Sequence, residues 1–236
     1  MVYSSVEDKI SPAGMSFSKA ASHVSCDVYD VTDVTFEDLR LTNALNVQVP
    51  AGVGTMLQLA GQVPQTNEAA ARLLIDPVAL HAQDGVPNTT LTVERSSKLL
   101  TLHGSFLRGP IDYVYVNKDN DVIGVIEAKS AVTFANAASE MQLYLELLAE
   151  MFGDIEDHAD SLSVKCMWGF LSDGQHYTLL VLDHFHRVLR VQSVTGDNAF
   201  WVIRFLLTNT QYLSTILSDA LKEELRFAGL AEADLA

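Results

Sequence analysis

Hydrophobic and polar residues along the middle of the chain predict two sets of strands separated by a helix. The first set comprises Thr90–Glu94, Leu99–His103, Ile111–Val116 and Val122–Lys129. Turn-forming residues stand between its last two members, so these two strands are predicted to pair as a hairpin. The second set comprises Lys165–Leu171, His176–Leu182 and Arg187–Val194. Turn signals between its members predict a second meander.

Apolar residues at helical spacing predict three helices around these strands. The first is Asn67–Ile75, where Asn67 provides an N-cap and Asp76–Pro77 is predicted to end the helix. Ala137–Phe152 is an amphipathic helix, and Ala199–Phe227 is a long C-terminal helix with a break near Asn209. The order of helix, strands, helix, strands and helix predicts an α/β fold in which helices cover a sheet.

The periodic pattern of hydrophobic and polar residues is weak before residue 66. Turn-forming runs at Val49–Thr55 and Val63–Asn67 interrupt it. We therefore expect an N-terminal extension over residues 1–65 and a single domain over residues 66–236.

Composition narrows the functional classes. The 236 residues include 30 acidic and 15 basic side chains, a formal net charge of −15, which disfavours nucleic-acid binding by bulk positive charge. Cys26 and Cys166 lack partners at zinc-ligand spacing. No stretch approaches the roughly 20 apolar residues that span a bilayer, and the polar start is unlike a signal peptide. We expect an intracellular protein, cytoplasmic or nuclear, with no membrane partner.

The candidate chemistry lies on the predicted hairpin. Residues i and i+2 of a strand point to the same side, so Glu127 and Lys129 are expected to share one face. If the hairpin strands pair, Asp112 lies beside Glu127, and the two carboxylates repel unless a cation or a proton intervenes. A hard divalent ion such as Mg²⁺ suits such oxygen ligands. A neighbouring lysine would then serve an attacking water and stabilise charge on a phosphate.

These residues resemble the motif of the PD-(D/E)XK nuclease superfamily. The similarity is through Pro110-Ile-Asp112, with one residue inserted between proline and aspartate, and Glu127-Ala-Lys129. It extends over roughly residues 67 to 195 in the order of elements. The resemblance implies a restriction-endonuclease-like mixed central sheet flanked by helices. The strand-turn-strand from Gly169 to Tyr177 is also similar to that of crinkler-effector members.

The resemblance implies a role for each site residue. Asp112 and Glu127 would bind Mg²⁺ or Mn²⁺, and Lys129 would assist attack on a phosphodiester. Glu68 falls where many members carry a further acidic residue, and Gln142 matches a glutamine often found on the following helix. Glu146 stands where a tyrosine is usual, with Tyr144 nearby. The implied function is a metal-dependent nuclease, with DNA favoured over RNA as substrate.

Two alternatives stay open at this point. One is a catalytically silent member, an effector or assembly module that binds a protein partner through its acidic surface. The other is an α/β domain unrelated to the superfamily. Residues 90–129 carry five basic and five acidic side chains, whereas residues 140–160 carry seven acids and no lysine or arginine. Nucleic acid would therefore bind weakly and with the help of metal.

Other candidates have ordinary structural explanations. His103 precedes Asp112 by nine residues, but a hydrogen-bonded histidine of the sheet is favoured over a metal ligand. His184 and His186 lie in a predicted turn without a third ligand and are interpreted as surface residues. Trp168 and Trp201 are predicted to pack in the core.

Overall fold

The structure analysed is a computed structural model of the 236-residue chain. It describes residues 15–16, 30–45, 48–63, 67–102, 105–134, 137, 141–142, 145, 166–183 and 187–227. The described strands form a mixed sheet: β1 Met15–Ser16, β2 Asp30–Asp33, β3 Thr89–Leu102, β4 Ser105–Asn117, β5 Val122–Ala128, β6 Cys166–Ser172, β7 Tyr177–Asp183 and β8 Arg187–Val194. The described helices are α1 Ala51–Ala60, α2 Glu68–Gln83, α3 Ala131–Phe134, α4 Gly196–Thr208 and α5 Tyr212–Phe227.

Seven strands follow the order β1-β4-β5-β6-β7-β8-β2, and β3 pairs with β4 beside this path. The β3–β4, β4–β5, β6–β7 and β7–β8 pairs are antiparallel, whereas β5 runs parallel to β6. The two predicted meanders are therefore confirmed, and the parallel β5–β6 pair joins them into one sheet. The predicted α/β architecture, with helices flanking a mixed sheet, is also confirmed.

The main core lies between one face of the sheet and α1, α2, α4 and α5. Tyr113, Phe170 and Leu179 are fully buried there against Ile75 and Ile203. The Tyr115 hydroxyl donates to the carbonyl of Ala79 at 2.9 Å, which fixes α2 across β4. Burial of these large side chains supplies the main driving force for this packing.

Helix α2 continues beyond its predicted end. Asn67 caps it as predicted, because its side chain accepts a hydrogen bond from the Ala70 amide. Pro77, however, lies inside the helix and is itself buried. Proline in a helix interior costs about 3 kcal/mol. The residues after it, including the fully buried Val78 and Ala79, offset this cost by packing in the core.

Three further sequence predictions were inexact. The two runs predicted over residues 90–94 and 99–103 form one strand, β3, with a register irregularity between Ser97 and Leu100. The turn predicted over Val49–Thr55 is wrong, because α1 begins at Ala51, directly after the N-cap residue Pro50. The long C-terminal helix is two helices, and they separate at the predicted break near Asn209.

Described residues before position 66 belong to the same sheet and core. β1 runs parallel to β4, and β2 runs parallel to β8. Leu39, Leu41 and Val53 are buried in the main core. The predicted extension thus contributes both strands and core residues to the architecture.

Helix α2 also packs against the β6–β7 turn, and a glycine permits this close approach. Gly174 has φ +89°, and a Cβ there would stand 2.8 Å from the carbonyl oxygen of Ala71 and 3.0 Å from Cβ of Leu74. We expect Gly174→Ala to destabilise the protein by about 1–3 kcal/mol, because strain and the clash add together. Urea unfolding measures the change in the free energy of unfolding.

Gly52→Ala is the matched control for this substitution. Gly52 lies in α1, and a Cβ there would meet nothing within 4 Å. Alanine should leave stability unchanged or raise it by up to about 1 kcal/mol, because it restricts the unfolded chain and favours the helix. Equal losses for both alanine variants would contradict the packing described for Gly174.

Strand β2 is tied to β8 by an exposed cluster. Asp33 accepts hydrogen bonds from Arg190 Nε at 2.7 Å, Arg190 Nη2 at 3.0 Å and Gln192 Nε2 at 3.0 Å. These donors lower the pKa of Asp33 to about 2, with the Arg190 hydrogen bond as the largest cause. Because the pKa of Asp33 is lower in the folded protein, the stabilisation that its carboxylate gives is fully present above the unfolded pKa near 3.8. This stabilisation is lost as pH falls through about 2.

We therefore expect wild type to lose stability relative to Asp33→Asn as pH falls from about 4 to about 2. The difference should stay below about 1 kcal/mol, because the group is exposed and screened. Urea unfolding of both proteins at several pH values measures it. A wild-type minus variant difference that is independent of pH would contradict the pairing of β2 with β8 through Asp33.

Candidate functional site

The β4–β5 hairpin brings the strand positions of the two predicted acidic residues next to each other. Tyr113 pairs with Ile126 and Val114 pairs with Val125, so the next step of this register sets Asp112 beside Glu127. The Asn117 side chain closes the turn by accepting hydrogen bonds from the amides of Asp119 and Asp121. The turn joins the two strands, and the register irregularity between Tyr115 and Val116 shifts their pairing by one residue, so that Asp112 comes beside Glu127.

Asp112 is buried, and both of its carboxylate oxygens accept hydrogen bonds. Oδ2 accepts from the backbone amide of Ala128 at 2.7 Å, across the hairpin. Oδ1 accepts from the guanidinium of Arg72, which α2 brings to this part of β4. Burial raises the pKa of Asp112, and the Ala128 amide and the Arg72 charge oppose this rise.

Arg72 links Asp112 to Glu68. Its guanidinium lies 3.4 Å from Glu68 Oε1, one helical turn earlier on α2. Sequence reasoning missed Arg72 as a site residue. The available signal was the Glu68-to-Arg72 spacing of four, which places both on one helix face. Glu68 lies in the predicted neighbourhood of Asp112, and Arg72 stands between the two.

Glu127 and Lys129 form a second ion pair. Lys129 Nζ donates to Glu127 Oε1 at 2.7 Å, and the side chains are only 10% and 5% exposed, respectively. The structure therefore brings both side chains together on one side of the strand end. The backbone amide of Lys129 donates to the carbonyl of Ser172 at 2.8 Å, which fixes it against β6. Both partners of this pair are thus held by the sheet.

Gln142 lies on the helix that covers this side of the sheet. A Cβ on Gly169 of β6 would stand 2.9 Å from Met141 Sδ, 3.1 Å from Leu145 Cδ2 and 2.9 Å from Val125 Cγ2. Val125 shares its strand face with Glu127, so the helix packs over the face that carries Glu127. Gln142 is buried, and its Oε1 has no hydrogen-bond partner among the described residues.

Several predicted features lie outside the described residues. Of the helix predicted over residues 137–152, four residues are described: Met141, Gln142 and Leu145 are helical, whereas Ala137 precedes them outside the helix. The Ala137 carbonyl accepts a hydrogen bond from the Met141 amide at 3.1 Å. Positions 144 and 146, His103, and the pair His184 and His186 are not among them. Trp168 is buried as predicted, and Trp201 is partly buried against the core.

The predicted site residues offer a divalent ion two carboxylates and one amide oxygen. The described part of the chain contains no group of three or more His, Cys, Asp or Glu side chains that would hold a metal ion. Mg²⁺, however, is commonly bound through one or two carboxylates, with waters and substrate phosphates completing its shell. Asp112 and Glu127 supply two such carboxylates, and the buried Gln142 Oε1 is an oxygen donor on the same side of the sheet.

Comparison with family models, with curated proteins and with solved structures finds no match to this chain. Among the described helices, none has the length and apolar character needed to cross a membrane.

The buried Glu127–Lys129 pair has a consequence for stability. We expect Lys129→Met to destabilise the protein by about 3 kcal/mol, because it leaves the buried Glu127 carboxylate without the Lys129 charge. The same substitution in a Glu127→Gln background should cost less, because the carboxylate charge is then absent. Urea unfolding of the four proteins completes the cycle.

Lys118→Met is the control for the loss of a lysine. Lys118 is exposed in the β4–β5 turn, so its replacement should change stability by no more than about 0.5 kcal/mol. A cost at Lys129 that equals the cost at Lys118, or that is the same in both Glu127 backgrounds, would show that the pair is not coupled.

Proposed function

We propose that the protein is a metal-dependent nuclease that hydrolyses phosphodiester bonds in nucleic acid, with DNA favoured as substrate. One observation carries the proposal: Asp112 and Glu127 are buried at neighbouring positions of paired strands, with Lys129 Nζ 2.7 Å from Glu127 Oε1. Buried charges are costly to the fold, so such a group favours a functional interpretation over a solvated face.

The order of elements around the site supports the same proposal. Helix α2 precedes the antiparallel strands β3, β4 and β5. The helical residues Met141, Gln142 and Leu145 follow, and β6 then runs parallel to β5. This agrees with the core expected for the PD-(D/E)XK superfamily, in which a helix and a strand meander precede a second helix and a further strand. A shared fold does not by itself imply activity, so the site residues carry the argument.

In this proposal Asp112 and Glu127 hold Mg²⁺ or Mn²⁺, and the ion supplies Lewis acidity toward a phosphate oxygen. Gln142 Oε1 accepts a hydrogen bond from the attacking water and thereby orients it. As the water oxygen bonds to phosphorus, the phosphorus–oxygen bond to the leaving group breaks; the water gives one proton to solvent, and the leaving oxygen takes one from solvent. Lys129 would donate from Nζ to the same water or to a phosphate oxygen, which stabilises the negative charge that develops. Glu68 is a more distant ligand candidate, linked to Asp112 through Arg72.

The charge distribution sets the expected mode of substrate binding. Five basic residues balance five acidic residues over 90–129, so few phosphates are neutralised by the segment that carries Asp112 and Lys129. Binding to nucleic acid would therefore be weak, would lessen with salt and would improve with divalent metal. Specificity for the substrate would have to come from the way in which the site positions the phosphodiester that is cleaved.

A second candidate function is a catalytically silent domain that binds a protein partner. The observation that favours it is the Arg72–Asp112 ion pair, because an internal cation already compensates this carboxylate. A silent member needs no metal and would use its acidic surface, to which the acid-rich residues 140–160 would contribute, to bind a basic partner.

Cleavage of nucleic acid separates the two functions. We expect the purified protein to cleave plasmid DNA with Mn²⁺, and Glu127→Gln or Lys129→Ala to lower the rate at least about a hundredfold, equivalent to about 2.7 kcal/mol of barrier. The physical reason is the loss of a metal ligand or of the group that serves the water. The initial rate of plasmid nicking, with circular dichroism as a check of folding, measures the effect.

Matched controls use charged residues of the same hairpin. Asp119→Asn and Lys118→Ala change exposed residues in the β4–β5 turn and should cleave at the wild-type rate. If a folded Glu127→Gln variant cleaves as fast as Asp119→Asn, the assigned site is wrong. If wild type cleaves neither DNA nor RNA with Mn²⁺ or Mg²⁺, the silent partner-binding function becomes the better account.

A further inference from the structure

Arg72 donates to one of the two carboxylate oxygens of Asp112. The other oxygen, Oδ2, accepts from the Ala128 amide across the hairpin, so the carboxylate is fixed in place. Oδ1 faces α2 and accepts from the Arg72 guanidinium. A divalent ion that Asp112 binds through Oδ1 therefore approaches an oxygen that the Arg72 guanidinium already occupies.

A guanidinium and a divalent ion compete for such an oxygen. Both are cations, and they repel each other when they approach the same carboxylate, more strongly in a site largely shielded from water. Asp112 is 3% exposed, so solvent screens little of this repulsion. Binding of metal at Asp112 is thus coupled to departure of Arg72.

Glu68 offers Arg72 a second partner. It lies on the same helix, 3.4 Å from Arg72, and its side chain is 45% exposed compared with 25% for Arg72. The Arg72 side chain can therefore move outward and keep an ion pair with Glu68 while it leaves Asp112. The helix itself does not have to move, because four residues separate Glu68 from Arg72 on one face.

We propose that Arg72 is an internal competitor of divalent metal at Asp112, and that Glu68 is the partner that receives Arg72 when metal displaces it. This inference rests on the proposed metal site and describes its regulation. In the metal-free protein, Arg72 neutralises the buried carboxylate and lowers the affinity of the site. A divalent ion displaces it only at a concentration that overcomes the Arg72–Asp112 pair.

Mn²⁺ binding, measured by isothermal titration calorimetry without substrate, tests the inference. Arg72→Gln should bind Mn²⁺ at least about tenfold more tightly than wild type, because the competing charge is gone. Arg72→Lys should fall between the two, since lysine keeps the charge without the planar fork of donors. Glu68→Gln should bind Mn²⁺ several-fold more weakly when Arg72 is present, because displaced Arg72 loses its second partner, but should have no effect in the Arg72→Gln background. Equal weakening in both backgrounds would overturn the role of Glu68 as the partner of Arg72 and make it a metal ligand.

Two controls separate competition from other effects. Asp112→Asn should abolish binding in both the wild-type and the Arg72→Gln backgrounds, which locates the ion. Arg204→Gln removes the arginine that donates to the carbonyl of Asp84 at 2.6 Å, just beyond the opposite end of α2. It should lower the melting temperature without changing Mn²⁺ affinity. If Arg72→Gln does not fold, Arg72→Lys carries the comparison.

The outcomes distinguish this inference from the proposed function. If Asp112→Asn abolishes Mn²⁺ binding but the Arg72 variants bind no more tightly than wild type, the competition is overturned and the metal site stands. If no variant binds Mn²⁺, both are overturned. If wild type fails to bind but Arg72→Gln binds in an Asp112-dependent way, the competition is supported in its strongest form.

Discussion

The structure depends on the cations that neutralise the negative charges of two buried carboxylates. Asp112 and Glu127 lie side by side at the end of the β4–β5 hairpin, where isolated negative charges would be strongly destabilising. Arg72 compensates the first and Lys129 compensates the second. The Arg72–Asp112 pair joins α2 to β4, the Ala128 amide joins β5 to Asp112 on β4, and the Lys129 backbone amide bonds to β6. The segment that carries the two pairs is thus fixed among four elements of the fold.

The same compensation explains why the site allows two functions. Among the described residues of the site, the three carboxylates of Asp112, Glu127 and Glu68 lie with the two cations Arg72 and Lys129. That arrangement suffices for a stable structural or partner-binding domain. It also leaves an oxygen-rich, negatively charged position at the end of two strands, which a divalent ion would occupy favourably if one of the cations moved.

Local sequence signals predicted the elements in which short-range chemistry decides the structure. The turn at Asn117 predicted the hairpin, and with it the juxtaposition of Asp112 and Glu127. Asn67 predicted the start of α2, and Asn209 marked the break between the C-terminal helices. In each of these places, side-chain hydrogen bonds within a few residues fix the backbone.

Other features depend on distant partners and were not predictable in this way. Pro77 is tolerated in α2 only because the sheet buries the residues that follow it. The parallel pairing of β2 with β8 joins segments more than 150 residues apart, and no local pattern encodes it. Arg72 reaches Asp112 across 40 positions of the chain, so its part in the site emerged only from the folded arrangement.

Anomalous diffraction from crystals grown with Mn²⁺ tests the central claim most directly, because it locates the ion without reference to any substrate. The account predicts an anomalous peak within about 2.5 Å of a carboxylate oxygen of both Asp112 and Glu127. An ordered site with both carboxylates still on Arg72 and Lys129, and with no anomalous peak between them at saturating Mn²⁺, would contradict it.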